Sequence, residues 1–237
     1  MSSHHVIREQ QEPALIIANG EACSFELMGQ LLEWSPLVIV LDSAINRVLE
    51  LGIKIDVLLG DFDVLRNTSD FTLLDEQSIK RAVNLDKIRE EQYPIEIVHT
   101  PDQNKTDLEK AFDYLIEKGF PAVNVIWATG RRADHTITNV TNIVRFREQL
   151  KIVVIDDYSK IFILPNTYEK WYPSKTPISL IPIGDVTGIS TENLKYELSD
   201  DSLKIGYRTG SSNEVKEDGL VKITYKTGDL LMMECND

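Results

Sequence analysis

Cysteine is scarce in this chain, and positive charge is outnumbered. The 237 residues hold only two cysteines, Cys23 and Cys235, near opposite ends. They form no CxxC pair and no zinc-like cluster with the four histidines, so neither a zinc module nor a disulfide framework is expected. No segment approaches the ~20 continuous apolar residues of a membrane-spanning helix. The opening Met1-Ser2-Ser3-His4-His5 lacks the apolar stretch of a secretory leader, so the expectation is a soluble, cytoplasmic protein. Lys and Arg total 25 against 38 Asp and Glu, a net charge of −13. That balance argues against a nucleic-acid partner, which needs clustered cations, and against docking on anionic membranes. No GxxxxGK[ST] loop is present, so a P-loop nucleotide site is excluded.

What is present is a regular alternation of strand and helix patterns. Ala14 to Ala18, Leu37 to Leu41, Ile55 to Leu59, Ile95 to His99, Val123 to Trp127 and Lys151 to Ile155 are short apolar runs. Helical spacing lies between them, over Ser24 to Trp34, Ser43 to Leu51, Thr106 to Lys118 and Thr136 to Leu150. Thr106 and Glu109 have the spacing of a capping box, and Gly52 and Gly119 end two of the helices. Residues 64–92 are charged and irregular, with a helix expected within Glu76 to Glu90. After about Asp157 the pattern shortens to alternating strands such as Val221 to Tyr225, separated by frequent turn signals. The expected fold is an N-terminal three-layer α/β domain with a parallel sheet, residues 1–157, followed by a C-terminal antiparallel β-sandwich, residues 158–237.

Carboxylates stand where the predicted strands end. Asp42 follows one strand, Asp61 and Asp63 in Gly60-Asp61-Phe62-Asp63 follow the next, and Asp102 and Asp107 flank a turn after a third. The carboxyl ends of parallel strands form the crevice of an open α/β sheet. Acids gathered there repel one another unless a cation lies between them, which points to Mg²⁺ and a phosphate-bearing substrate. Bland readings exist for each motif. Gly60 to Asp63 also reads as a polar turn; if extended, it puts both acids on one side and Phe62 on the other. Asp107 also reads as a group that stabilises a helix start, and Asp134 as the cap of the helix after it. Gln103 and Lys105 offer phosphate donors, as do Arg131 and Arg132 of Gly130 to Thr136. Gly210 to Glu214, taken alone, reads first as a hairpin turn, and Trp171 as a core residue.

Taken in order, these segments resemble thiamine pyrophosphokinase. The matching stretches are Leu41 to Arg47, Asp56 to Asp63, Asp102 to Ala111, Gly130 to His135, Ser179 to Gly184 and Ser211 to Glu214. The resemblance implies transfer of the pyrophosphoryl group of ATP to the hydroxyl of thiamine, by a homodimer with active sites between subunits. It implies Asp61, Asp63 and Asp107 as catalytic and Mg²⁺-holding residues. Asp42, Asn46, Gln103, Lys105, Arg131 and Asp134 fall on the ATP side, and Ser212 and Asn213 on the thiamine side. Two departures stand out: Ser43-Ala44-Ile45 replaces a glycine-rich stretch, and Asn104 stands where the family often has an aspartate. A pyrophosphokinase for another alcohol such as a pterin, a Mg²⁺-dependent phosphohydrolase, and a silent thiamine- or nucleotide-sensing module are the rival readings.

Overall fold

Ala14-Leu15-Ile16-Ile17 and Val38-Ile39-Val40-Leu41 are apolar at every position because both faces of the strands they form are covered. The computed structural model describes residues 12–35, 37–62 and 85–236. Six parallel strands form the N-terminal sheet: β1 (Ala14–Ile17), β2 (Val38–Leu41), β3 (Val57–Gly60), β4 (Glu96–His99), β5 (Ala122–Ile126) and β6 (Lys151–Ile155). Between them lie α1 (Phe25–Trp34), α2 (Ile45–Glu50), α3 (Leu85–Glu91), α4 (Asp107–Glu117) and α5 (Ala133–Phe146). Successive strand residues point to opposite faces. Ile16, Ile39 and Leu59 therefore pack with Leu108, Phe112 and Leu115 of α4 and with Val140 and Ile143 of α5. Leu15, Val40 and Leu58 face the other way, onto Met28 of α1, Val48 of α2 and Ile88 of α3.

The strand order β4-β3-β2-β1-β5-β6 puts β1 at the point where the chain, having built outward through β2, β3 and β4, returns to its other side. Adjacent loops diverge at such a point and leave a crevice at the carboxyl ends of the strands.

Beyond β6 the pairing changes. β7 (Ser159–Ile163) folds back antiparallel, with Phe162 opposite Val153. It hands the sheet on through β13 (Thr227–Cys235) to β9 (Pro177–Glu192). The C-terminal end of β9 pairs instead with β12 (Gly219–Thr224), which pairs with β8 (Thr167–Tyr172) and completes the second layer. β10 (Asp201–Lys204) and β11 (Gly210–Glu214) also lie on β9. Ile178, Leu180, Val221, Ile223 and Met232 fill the sandwich. The two halves thus share one hydrogen-bonded network of strands, and no helix among the described residues is long and apolar enough to cross a membrane.

Three local expectations change. α5 starts at Ala133 and ends at Phe146, several residues earlier than its apolar spacing predicts. Of the helix expected in Glu76 to Glu90, the described part is α3, Leu85–Glu91; the rest lies outside the described residues. Trp171, expected in the core, is 56% exposed opposite Leu220, on the outer face of β8 and β12. The buried tryptophan is Trp127, at the end of β5.

The capping box at α4 is formed. Thr106 Oγ1 accepts from the Glu109 N–H at 3.3 Å, and the Glu109 carboxylate accepts from the Thr106 N–H at 2.8 Å. Glu109 is buried, and its Oε1 also accepts from Arg145 of α5 at 2.8 Å. One carboxylate thereby fixes the start of α4 against its neighbouring helix. Thr106→Ala should lower unfolding free energy by about 1 kcal/mol. A urea titration should show a lower midpoint with an unchanged slope.

Candidate active site

A cavity of about 570 Å³ opens at the carboxyl ends of the strands around β1. Asn19 and Gly20 reach it from the end of β1, and Asp61 from the end of β3. Gln103 and Lys105 come from the loop after β4, Asp107 and Lys110 from the first turns of α4, and Arg131, Arg132 and Asp134 from the passage between β5 and α5. The sequence-selected Asp61, Gln103, Lys105, Asp107, Arg131 and Asp134 are therefore brought to one cavity. A larger cavity, about 1010 Å³, lies along β6 and β7 and is lined by Lys151, Lys160, Phe162 and Tyr168, none of them among the selected residues.

The remaining selected residues are placed differently. Asp42 sits behind the cavity wall, where its Oδ2 accepts from the Phe62 N–H at 2.9 Å. A Cβ on Gly60 would overlap that carboxyl, so glycine is what lets Asp42 lie against the end of β3. Asn46, on α2, does not line the cavity. Asp63 lies outside the described residues. Ser212 and Asn213 are on β11 and do not line this cavity either. The Asn213 amide is spent on Tyr196: its oxygen accepts from the Tyr196 N–H at 3.0 Å and its nitrogen donates to the Tyr196 carbonyl at 2.9 Å.

Two geometric expectations give way. Phe62 has φ 54°, so the backbone is left-handed there and the extended alternation of Gly60 to Asp63 does not apply. Phe62 still turns inward, partly buried against the core and stacked on His99 with ring centroids 5.9 Å apart. Asp134 is the second residue of α5, whose N-cap is Arg132. Trp127 and Arg131 also have φ near 55°, at 55° and 54°, so backbone strain gathers at these strand exits.

The polar groups are cross-braced. Gln103 Nε2 donates to Asp61 Oδ2 at 2.9 Å. Arg131 and Arg47 both donate to Asn19 Oδ1, at 3.0 and 3.2 Å, and Arg47 lies over the Trp127 ring at 4.4 Å. Burial, and then the charge of Arg131, pull the Arg47 pKa down from its usual value. Lys105 meets Asp113 at 2.6 Å, Arg132 meets Asp134 at 2.5 Å, and Lys110 meets Asp107 at 3.0 Å. Sequence reasoning missed Asn19 and Lys110 as cavity residues, and Arg47 as the side chain that braces Asn19. Arg47 and Asn19 meet only through the fold, whereas Lys110 carried a signal, since it follows Asp107 by one helical turn.

Asp42 lies within reach of two other carboxylates. Burial pushes the Asp42 pKa up to about 6, the Phe62 N–H opposes that rise, and the charges of Asp107 and Asp61 add to it. Asp134, by contrast, is held down to about 2 by its hydrogen bond from Arg132. Among the described residues no group of three acids, histidines or cysteines is close enough to hold a metal alone. Mg²⁺ does not need such a group: it takes one or two carboxylates, substrate phosphates and water. The hard oxygens of Asp61 and Asp107, with the like charge of Asp42 behind them, fit that ion.

Known proteins resemble both halves of the chain. Residues 28–154 match the family described as thiamin pyrophosphokinase, catalytic domain, and residues 166–230 match the thiamin pyrophosphokinase vitamin B1 binding domain. Thiamine pyrophosphokinase of Bacillus subtilis is 26% identical over 205 residues, covering 85% of this chain and 88% of that protein. Thiamin pyrophosphokinase 1 of Caenorhabditis elegans is 25% identical over 189 residues, covering 73% and 69%. The crystal structure of the Bacillus subtilis protein superposes with a TM-score of 0.73 at 24% identity, covering 95% of this chain and 100% of that one, which shows a common fold.

The state of Asp42 can be measured. A pKa of about 6 in the fold exceeds the ordinary value of about 3.9 for an unfolded aspartate. Between these values the folded chain keeps a proton that the unfolded chain has released, so this group makes stability fall as pH rises through the window. Asp42→Asn keeps an acceptor for the Phe62 N–H and removes the charge. In EDTA it should match the wild type at pH 4 and exceed it by about 1 kcal/mol at pH 7, allowing for partial exposure. Mg²⁺ should narrow the gap. Parallel pH profiles of the melting temperature for the two proteins would contradict the assignment.

Proposed function

The chain belongs to the thiamin pyrophosphokinase family, and on that premise we propose that it transfers the pyrophosphoryl group of ATP to the hydroxyl of thiamine, releasing AMP and thiamine diphosphate. The observation that carries this is the pairing of the two matches, catalytic domain first and vitamin B1 binding domain second, along one chain. Residues 1–157 act as the ATP and metal part and residues 158–237 as the thiamine part.

The reaction joins the thiamine hydroxyl oxygen to the β-phosphorus of ATP and breaks the bond from that phosphorus to the oxygen leaving with AMP. Little covalent work falls to the protein; alignment of the two reactants supplies much of the rate. Gln103, Lys105 and Arg131 donate to phosphate oxygens from the rim of the cavity, Lys105 after parting from Asp113. Asp42 acts through the Phe62 N–H, holding the strand exit that presents Asp61. Asn46 and Asp134 complete the ATP side on the strength of the resemblance. A carboxylate, Asp107 or Asp63, accepts the hydroxyl proton. Mg²⁺, held by Asp61, Asp63 and Asp107, would lower the charge on the phosphates and on the departing AMP.

Ser212 and Asn213 do not line the cavity that holds Asp61 and Asp107. The resemblance is to homodimers with sites between subunits, and on that reading a second copy of the chain would complete the thiamine site.

The test is to incubate the protein with thiamine, ATP and Mg²⁺ and to follow AMP and thiamine diphosphate together. Equal, thiamine-dependent release of both is expected. AMP without thiamine diphosphate would turn the reading toward a hydrolase or another acceptor. Asp61→Asn and Asp63→Asn should each lower kcat by about 100-fold or more with the fold retained; near-normal turnover in either would remove that residue from the metal site.

A further inference from the structure

Lys110 is only 7% exposed, yet it lines the cavity. Its Nζ donates to Asp107 Oδ1 at 3.0 Å and to the Thr100 carbonyl at 2.9 Å. An ammonium has three N–H donors, so these two acceptors leave one for the cavity that the side chain lines. Burying an ammonium is costly unless it is paired and hydrogen-bonded. An aliphatic residue would fill this flank of α4, beside Ala111, without that cost. A purely structural pair with Asp107 would do as well in solvent, where such pairs carry little energy either way.

The other cations of the cavity are differently engaged. Lys105 is drawn to Asp113, Arg132 to Asp134, and Arg131 to the Asn19 carbonyl and side chain. Among the described residues, Lys110 is the one buried cation of the cavity and the only one paired to a carboxylate chosen for the metal. A metal–polyphosphate unit presents both signs of charge at once: its cation suits Asp107 and its oxygens suit the ammonium beside it.

We propose that Lys110 is a substrate-contacting residue that holds the β,γ-phosphate oxygens of ATP, the group being transferred. The proposal rests on the pyrophosphokinase reading for the identity of that group. It distinguishes Lys110 from a brace that only ties Asp107 and the exit of β4 to α4.

Calorimetric titration of the full chain with α,β-methylene-ATP and, separately, with AMP, both with Mg²⁺, tests it. Lys110→Met keeps much of the stem and removes the charge. Loss of a charged hydrogen bond corresponds to about tenfold or more in affinity. The analogue should therefore bind about tenfold more weakly to the variant, while AMP, which lacks the transferred group, changes by less than about threefold. Equal weakening of both ligands, or unchanged binding of both, would overturn the proposal and leave Lys110 as a brace. If Lys110→Met does not fold, Lys110→Gln takes its place with the same expected split. Selective weakening in a protein whose wild type makes no thiamine diphosphate would keep the lysine's role and discard the acceptor, so the two readings fail separately.

Discussion

Mutual repulsion among carboxylates is the constraint on which the cavity is built. Asp61 and Asp107 face it, and Asp42 lies close enough behind that both charges raise its pKa. Left in water, three such acids would drift apart. Here each is restrained by something rigid. Asp42 rests where Gly60 has no Cβ, Asp61 takes the Gln103 amide, and Asp107 opens a helix whose start is closed by a capping box. The positive φ of Phe62 belongs to the same arrangement: the backbone turns left-handed so that its N–H reaches the Asp42 carboxylate. Strain and repulsion among these groups are terms that a bound cation would relieve.

The topology determines which chain segments share this charge. Because β1 sits between β2 and β5, the loops leaving β1, β3, β4 and β5 all open on one crevice. Glu109 shows how the helices hold it steady. It closes the capping box of α4 and pairs with Arg145 of α5, so the two helices carrying Asp107 and Asp134 are tied together by one buried carboxylate. On the other side, Asn19 accepts from both Arg47 and Arg131, joining the end of β1 to α2 and to the β5 exit.

Much of this was legible in the residues, because fully buried parallel strands read as unbroken apolar runs and because Thr106 and Glu109 declare a helix start. The acids at the strand ends were legible for the same reason: once a strand is placed, so is its exit. Other features were not. Trp171 looked like core, but its strand β8 lies in the outer layer and alternation turns that position to solvent. The onset of α5 was missed because its first turn, Ala133-Asp134-His135, has no apolar periodicity to mark it. The convergence of Arg47 and Arg131 on Asn19 joins positions far apart in sequence and has no local signature. The φ of Phe62 follows from a tertiary hydrogen bond, which no propensity of phenylalanine encodes.

The net charge of −13 makes the placement of cations informative. A polyphosphate approaching this chain meets a repulsive field overall, so its attraction has to be local. Lys105, Lys110, Arg131 and Arg132 would supply it, all on the wall of one cavity and all from the loop after β4, the first turns of α4 and the β5–α5 passage. Lys105, Lys110 and Arg132 are each paired to an acid, which balances much of the local charge and keeps the cations in place. Pairing also means that an anion must compete with carboxylates for them. For a phosphate chain accompanied by a divalent cation that competition would be smaller, since Asp107 would hold the cation and Lys110 the phosphate. That division is possible only where acid and base face the same space. Asp107 and Lys110 meet that condition, one helical turn apart on α4.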